Sequence, residues 1–159
     1  MDYFQGVVTE FLRSKRTTFV NTEYMIQLDH GTVYAKGRHW FCDAVAIDHK
    51  DRTVHLCEVT YSRTQQSLVE RLHAWKNHWH GVVAAIRRDS SLEGTWHFQA
   101  HVFVPAEYKG ALEEKLASLK PTEGVAEAMP LPIITTLEEV LPWLYRSWNG
   151  ERYQSKTNV

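Results

Sequence analysis

Apolar positions recur along this chain with two periods, and the switches between them mark the elements. Phe4, Val7, Val8, Phe11 and Leu12 follow the i, i+3, i+4, i+7, i+8 spacing of one helix face, predicting a helix over residues 3–14. A basic run follows (Arg13, Lys15, Arg16), and Thr17-Thr18 reads as a breaker. Residues 23–28 and 32–35 read as strands around Asp29-His30-Gly31. Two apolar runs, 40–47 and 54–61, flank the polar loop 48–53 and form a hairpin turning at Lys50-Asp51. From Thr64 the period becomes helical, with Leu68, Leu72, Trp75, Trp79, Val82, Val83 and Ile86 in one stripe to about residue 88, despite Gly81. Residues 96–104 alternate as a strand with Trp96, Phe98, Ala100, Val102 and Val104 on one face. Pro105 suits the first turn of a helix whose stripe is Tyr108, Leu112, Leu116 and Leu119. After a Pro-containing linker over 121–132, Ile133-Ile134 is a short strand. Residues 137–148 form a last helix with Leu137, Val140, Leu141, Leu144 and Trp148 inward, its start complicated by Pro142.

The hairpin carries an anomaly. In the register set by that turn, Ile47 faces Val54, Val45 faces Leu56, and Asp43 faces Glu58, all on one side of the sheet. Directly opposed strand residues have Cβ atoms about 4.5–5.5 Å apart. Two like charges so close on an apolar face call for something between them, and a divalent cation answers that need. Cys42 and Cys57 fall on the opposite face in this register and read as reduced core thiols.

Composition narrows the field. The 159 residues suit one domain over 1–148 with a loose polar tail over 149–159. No apolar run reaches the ~18 residues that would span a membrane. The N-terminus lacks the pattern of a signal peptide, so a cytoplasmic protein with no membrane partner is expected. A formal net charge of −1 gives no bulk attraction to nucleic acid, so such a partner needs local basic patches or metal ions. The nine histidines do not assemble a zinc site: His73, His78 and His80 have no i, i+3 or i+4 pair, and His97 and His101 share a strand face without a third ligand.

The order helix, three strands, helix, strand, helix indicates an α/β layer, a central mixed sheet flanked by helices. With Asp43 on the second strand and Glu58-Val59-Thr60 on the third, the chain resembles the PD-(D/E)xK nuclease superfamily over residues 3–104. The resemblance implies a restriction-endonuclease-like core and Mg²⁺- or Mn²⁺-dependent hydrolysis of phosphodiesters in DNA, with RNA as a further substrate. It assigns Asp43, Glu58 and the Val59 carbonyl to the metal. Glu10 on the first helix is the matching candidate for an added ligand, against an equal reading as a solvated surface residue. Such a metal polarises the phosphate and lowers the pKa of its water.

Thr60 departs from the pattern, since the family usually has Lys there. Either another cation substitutes (Lys76 or Arg71 from the long helix, Lys36 or Arg38 before the Asp43 strand) or cleavage has been lost. The alternative is therefore a catalytically inactive module of the same fold that binds nucleic acid or a protein. Arg13, Lys15, Arg16 and Arg71 are the candidate phosphate contacts, and Trp40, Tyr61 and Trp96 read as packing residues. A homodimer or larger assembly stays open.

Overall fold

The computed structural model describes residues 1–29, 37–147 and 149–153. The expected strand at 32–35, Lys36, Trp148 and the end of the tail lie outside the described residues. The order is α1 (Tyr3–Arg13), β1 (Thr18–Gln27), β2 (His39–Asp48), β3 (Thr53–Val59), α2 (Gln66–Asn77), α3 (Trp79–Ser90), β4 (His97–Val104), α4 (Ala106–Leu116) and β5 (Ile133–Thr136). The five strands form one sheet in the order β1-β2-β3-β4-β5. β1 to β3 are an antiparallel meander, and β4 and β5 join it in parallel. Each parallel neighbour needs a crossover, which α2 with α3, and then α4, provide. Among the described residues no helix is long and apolar enough to cross a membrane.

Both faces of the sheet are covered, which explains why its central strands carry few polar residues. On one face Val45, Val54, Leu56, Phe98 and Val102 pack against Leu68, Leu72 and Trp75 of α2, Val82 and Ile86 of α3, and Leu112 and Leu116 of α4. On the other, Ala44, Ala46, Cys57 and Phe103 meet Val8 and Leu12 of α1 with Leu137 and Val140. The small side chains of β2 let α1 lie close to the sheet.

The departures from expectation have local causes. The long helix is two helices broken at His78, whose amide is shared between the carbonyls of Ala74 and Trp75. The apolar stripe runs across the break unbroken, which is why periodicity alone missed it. β1 begins at Thr18, so Thr17-Thr18 starts a strand, and β1 pairs with β2 along its length. The last expected helix is a 3-10 turn over Leu137–Val140, capped by Thr136 and Glu139. Leu141 is extended (ψ 140°) because Pro142 follows it. The first tail residues are tied back by Lys15–Asn149 and Tyr145–Arg152 bridges.

Two histidines, His55 and His101, lie half-buried beside Phe11 and Leu12 of α1. His101 donates or accepts at Thr135 Oγ1 (2.7 Å) and stacks on Phe103, and the ring of His55 lies 5.5 Å away. Burial, then the neighbouring His55, pushes His101 down to about 3. Burial likewise lowers His55, with Asp48 opposing. The unfolded chain takes up protons below about pH 6.5 that the folded chain refuses, so stability falls as pH falls from there toward 3. The loss approaches about 1.4 kcal/mol per pH unit for each such histidine. Urea melts between pH 4 and 7 should show a shallower acid limb for His101→Gln than for the unsubstituted protein; an unchanged slope contradicts this account.

Candidate functional site

The ladder between β2 and β3 pairs Ile47 with Val54 and Val45 with Leu56, and it ends at Ala44 and Cys57. Beyond that point β2 stays with β1 out to Gln27–His39, while β3 stays with β4 out to Val59–Phe103. The two strands part, and the Asp43 side chain occupies the opening. Its Oδ2 accepts the Val59 backbone N–H at 2.8 Å, where a strand carbonyl would otherwise sit, and its Oδ1 accepts from Gln5 Nε2 at 3.0 Å. Asp43 and Glu58 are therefore neighbours across a gap rather than a ladder pair.

A distortion turns Asp43 into that gap. The β1–β2 pairing skips one position between Thr22–Ala44 and Tyr24–Cys42, and Glu23 has a left-handed backbone (φ 52°). Alternation slips by one residue there. Cys42 consequently packs with Val45 and Leu56 on the α2–α3 side, whereas Cys57 packs with Ala44 and Ala46 under α1. The two cysteines do not share a face, contrary to the simple hairpin pattern. Both thiols are free and buried.

Glu58 is only 3% exposed, and its two oxygens have different fates. Oε2 accepts from Arg71 Nη1 at 2.6 Å, while Oε1 is buried and receives no N–H donor. Burial raises the Glu58 carboxyl, the Asp43 carboxyl raises it further through its charge and a hydrogen bond between the two carboxyls, and Arg71 opposes them, leaving Glu58 at about 8. Near neutral pH the pair thus retains a proton unless a cation replaces it.

Arg71 is held over Glu58 by the way α2 begins. Leu68 and Leu72 bury one face of that helix, and Gln65 before it is buried in a left-handed conformation. Gln65 donates to the Tyr108 carbonyl, and Lys115 Nζ binds the carbonyl of Thr64 and the amide oxygen of Gln65. These contacts fix the helix start against α4 and so set the reach of Arg71.

The other expected residues are placed elsewhere. Lys76 gives its ammonium to the Ser118 and Lys120 carbonyls, so it is committed to the end of α4 rather than to the carboxylates. Thr60 donates its N–H to Phe103, and its hydroxyl accepts from the Ser62 amide, a turn contact that leaves Glu58 untouched. Glu10 is exposed and pairs with Arg13 at 3.6 Å, one turn and more from Gln5, so α1 reaches Asp43 through Gln5 instead. Arg38 pairs with Asp29. Arg13, Lys15 and Arg16 are exposed at the C-terminal end of α1. Gln5 to Arg13 spans about 12 Å of helix, so this basic run is not beside the carboxylates.

Gln5 escaped notice in the sequence, although a signal was present. Asp2-x-x-Gln5 is a capping box: Asp2 accepts the Gln5 amide at 2.8 Å and Gln5 Oε1 accepts the Asp2 amide at 3.1 Å. The same side-chain amide thus caps α1 and holds Asp43.

The donor set suits a hard cation. It offers one carboxylate oxygen on Glu58 that receives no N–H donor, the adjacent Asp43 carboxylate, and the Val59 backbone. Among the described residues no group of three or more His, Cys, Asp or Glu gathers to hold a metal. Two carboxylates with the remaining positions left to water and phosphate is the mode Mg²⁺ favours, so the residues fit that ion and not a closed protein cage. Compared with known proteins, the chain matches no family model, no curated protein and no solved structure.

A raised carboxyl pKa means that the folded state holds a proton the unfolded chain releases above about pH 4.5. Without divalent cations, Glu58 therefore favours folding least as pH rises toward 8. Glu58→Gln removes that term and keeps an acceptor for Arg71. Its stability relative to the unsubstituted protein should rise with pH over this range, by up to about 1.4 kcal/mol per pH unit. Denaturant melts of both proteins at a series of pH values test this, and a difference that does not grow with pH contradicts a buried, strained carboxyl.

Proposed function

We propose that this chain is a divalent-cation-dependent nuclease with a restriction-endonuclease-like core, related to the PD-(D/E)xK superfamily and hydrolysing phosphodiester bonds in DNA. One observation carries the reading: Asp43 enters the gap where β2 and β3 part and lies against Glu58, whose buried Oε1 receives no N–H donor. The order α1, antiparallel meander, helical crossover and parallel β4 supports it, since that is the arrangement the superfamily implies.

In this reading Asp43, Glu58 and the Val59 carbonyl hold Mg²⁺ or Mn²⁺. When bound, such an ion polarises the scissile phosphate and makes water a better nucleophile at neutral pH. Gln5 fixes the Asp43 carboxylate through Oδ1 and keeps Oδ2 toward β3. A cation held there would take the place of the Glu58 proton and offset the repulsion between the two carboxylates. Arg71 takes the role that Thr60 cannot. Its guanidinium is always charged and carries five donors, of which one Nη is engaged by Glu58. The remaining donors suit a phosphate oxygen, and Arg71 is half-exposed, so substrate can reach it.

The same ion pair favours a second reading. Arg71 already occupies one oxygen of Glu58 without any added ion, as it would in a domain that has kept the fold and lost cleavage.

A cleavage assay over duplex, single-stranded and branched DNA and over RNA, with Mg²⁺, Mn²⁺ or EDTA, separates them. Metal-dependent cleavage should fall to background in Asp43→Ala, and by on the order of 10²–10³-fold in Arg71→Ala, the usual loss for a group stabilising developing charge. Arg71→Lys should recover part of it. No cleavage under any condition, or cleavage indifferent to Asp43→Ala, favours the inactive module.

A further inference from the structure

Three aromatic rings stand beside the carboxylates without entering either core. Tyr3 is 74% exposed, Phe4 36% and Tyr61 53%. Tyr3 meets Phe4 edge-on at 5.4 Å between ring centroids, and Phe4 meets Tyr61 at 5.1 Å with a tilt of 45°. Phe4 belongs to the helical stripe by spacing, and Tyr61 belongs to the strand, yet both end on the surface. β3 stops at Val59, and the buried side of α1 begins only at Val8.

Their position follows from the Asp43 contacts. Phe4 immediately precedes Gln5, which donates to Asp43 Oδ1; Tyr61 lies two residues beyond Val59, which donates to Oδ2. The Phe4–Tyr61 contact closes this loop of residues around Asp43. We propose that this rim is a stacking platform, and that the site takes a single-stranded nucleic-acid segment whose bases lie on Tyr3, Phe4 and Tyr61. The phosphate placement rests on the nuclease reading above: with bases on the rim, the backbone runs alongside the carboxylates, within reach of the Arg71 donors that Glu58 does not engage. Exposed Arg63, two residues past Tyr61, adds a cation to that loop.

Charge and geometry both favour an unpaired strand over a duplex. A duplex hides its base faces within its own stack and is bound first through its phosphates. This chain has a net charge of −1, and its basic run Arg13-Ser-Lys-Arg16 sits at the other end of α1. An unpaired strand presents free π-faces, and stacking on aromatic side chains binds it with little regard to sequence. Three adjoining exposed rings pack on one another and belong to neither buried cluster.

Fluorescence anisotropy with labelled strands of about 12 nucleotides tests this, using oligothymidine, oligouridine and a blunt duplex, with calcium as the cation. The single strand should bind at least about tenfold more tightly than the duplex. Tyr61→Ala and Phe4→Ala should each weaken it by about tenfold, with Tyr61→Phe restoring it because the ring carries the contact. Tighter binding of either single strand than of the duplex supports the platform. Equal affinity for the blunt duplex, or an unaffected Tyr61→Ala variant with an unchanged melting temperature, overturns it. The two readings fail separately. Ring-dependent strand binding without cleavage in any cation defeats the nuclease alone, and duplex cleavage indifferent to Tyr61→Ala defeats the platform alone.

Discussion

A carboxyl buried beside another carboxyl is the constraint around which this structure is arranged. Glu58 is removed from water in the middle of the sheet, next to Asp43, and one of its oxygens receives no N–H donor. Desolvation and like charge both oppose its ionisation. A site of this kind is a local violation of what makes a sheet stable, and such violations concentrate where function demands them. The surrounding elements contain the cost. β2 and β3 separate where the charges meet, the Val59 amide and Gln5 share Asp43 between them, and Arg71 reaches down from α2 to one oxygen of Glu58.

Each of those partners is fixed by something outside the site. Gln5 is oriented by its role in the α1 capping box, and α1 is seated by Val8 and Leu12 on the small side chains of β2. Arg71 is oriented because α2 starts from a buried, left-handed Gln65 tied to α4. Glu23 in β1 absorbs the backbone distortion that lets Asp43 leave the regular alternation. The meander, the crossover and the helix caps thus converge on one opening in the sheet. Under the proposed reading, a carboxylate oxygen without an N–H or O–H donor beside a second carboxylate would suit a hard cation completed by water and substrate.

The layers of this fold were legible from periodicity because apolar stripes and alternation report burial directly. The register of β2 on β3 followed from Val45, Ile47, Val54 and Leu56, and the closeness of Asp43 to Glu58 followed from that register. What escaped were matters of one residue. The slip at Asp43 reverses the face of Cys42, and no pattern in the sequence announces it, since Ala44 and Cys42 suit either side. The break at His78 preserves the stripe and so leaves periodicity intact. Pro142 did signal the end of helical structure, and the apolar spacing of Leu137, Val140 and Leu144 overrode it wrongly. Lys76 and Arg71 both lie on α2, and only the packing of that helix on the sheet decides that Arg71 meets Glu58 while Lys76 meets the end of α4. Gln5 and Tyr61 were readable only as a cap and a strand residue until the fold placed them on either side of Asp43.

The central claim is that Asp43 and Glu58 together form a cation site rather than a buried structural pair. Anomalous diffraction from crystals soaked in Mn²⁺ at a pH above that at which Glu58 ionises tests it without reference to any substrate. The account predicts a single strong anomalous peak between the two carboxyl groups, lost in Asp43→Ala crystals soaked in the same way. A gap between β2 and β3 that stays free of manganese, with Glu58 still joined only to Arg71, would contradict it.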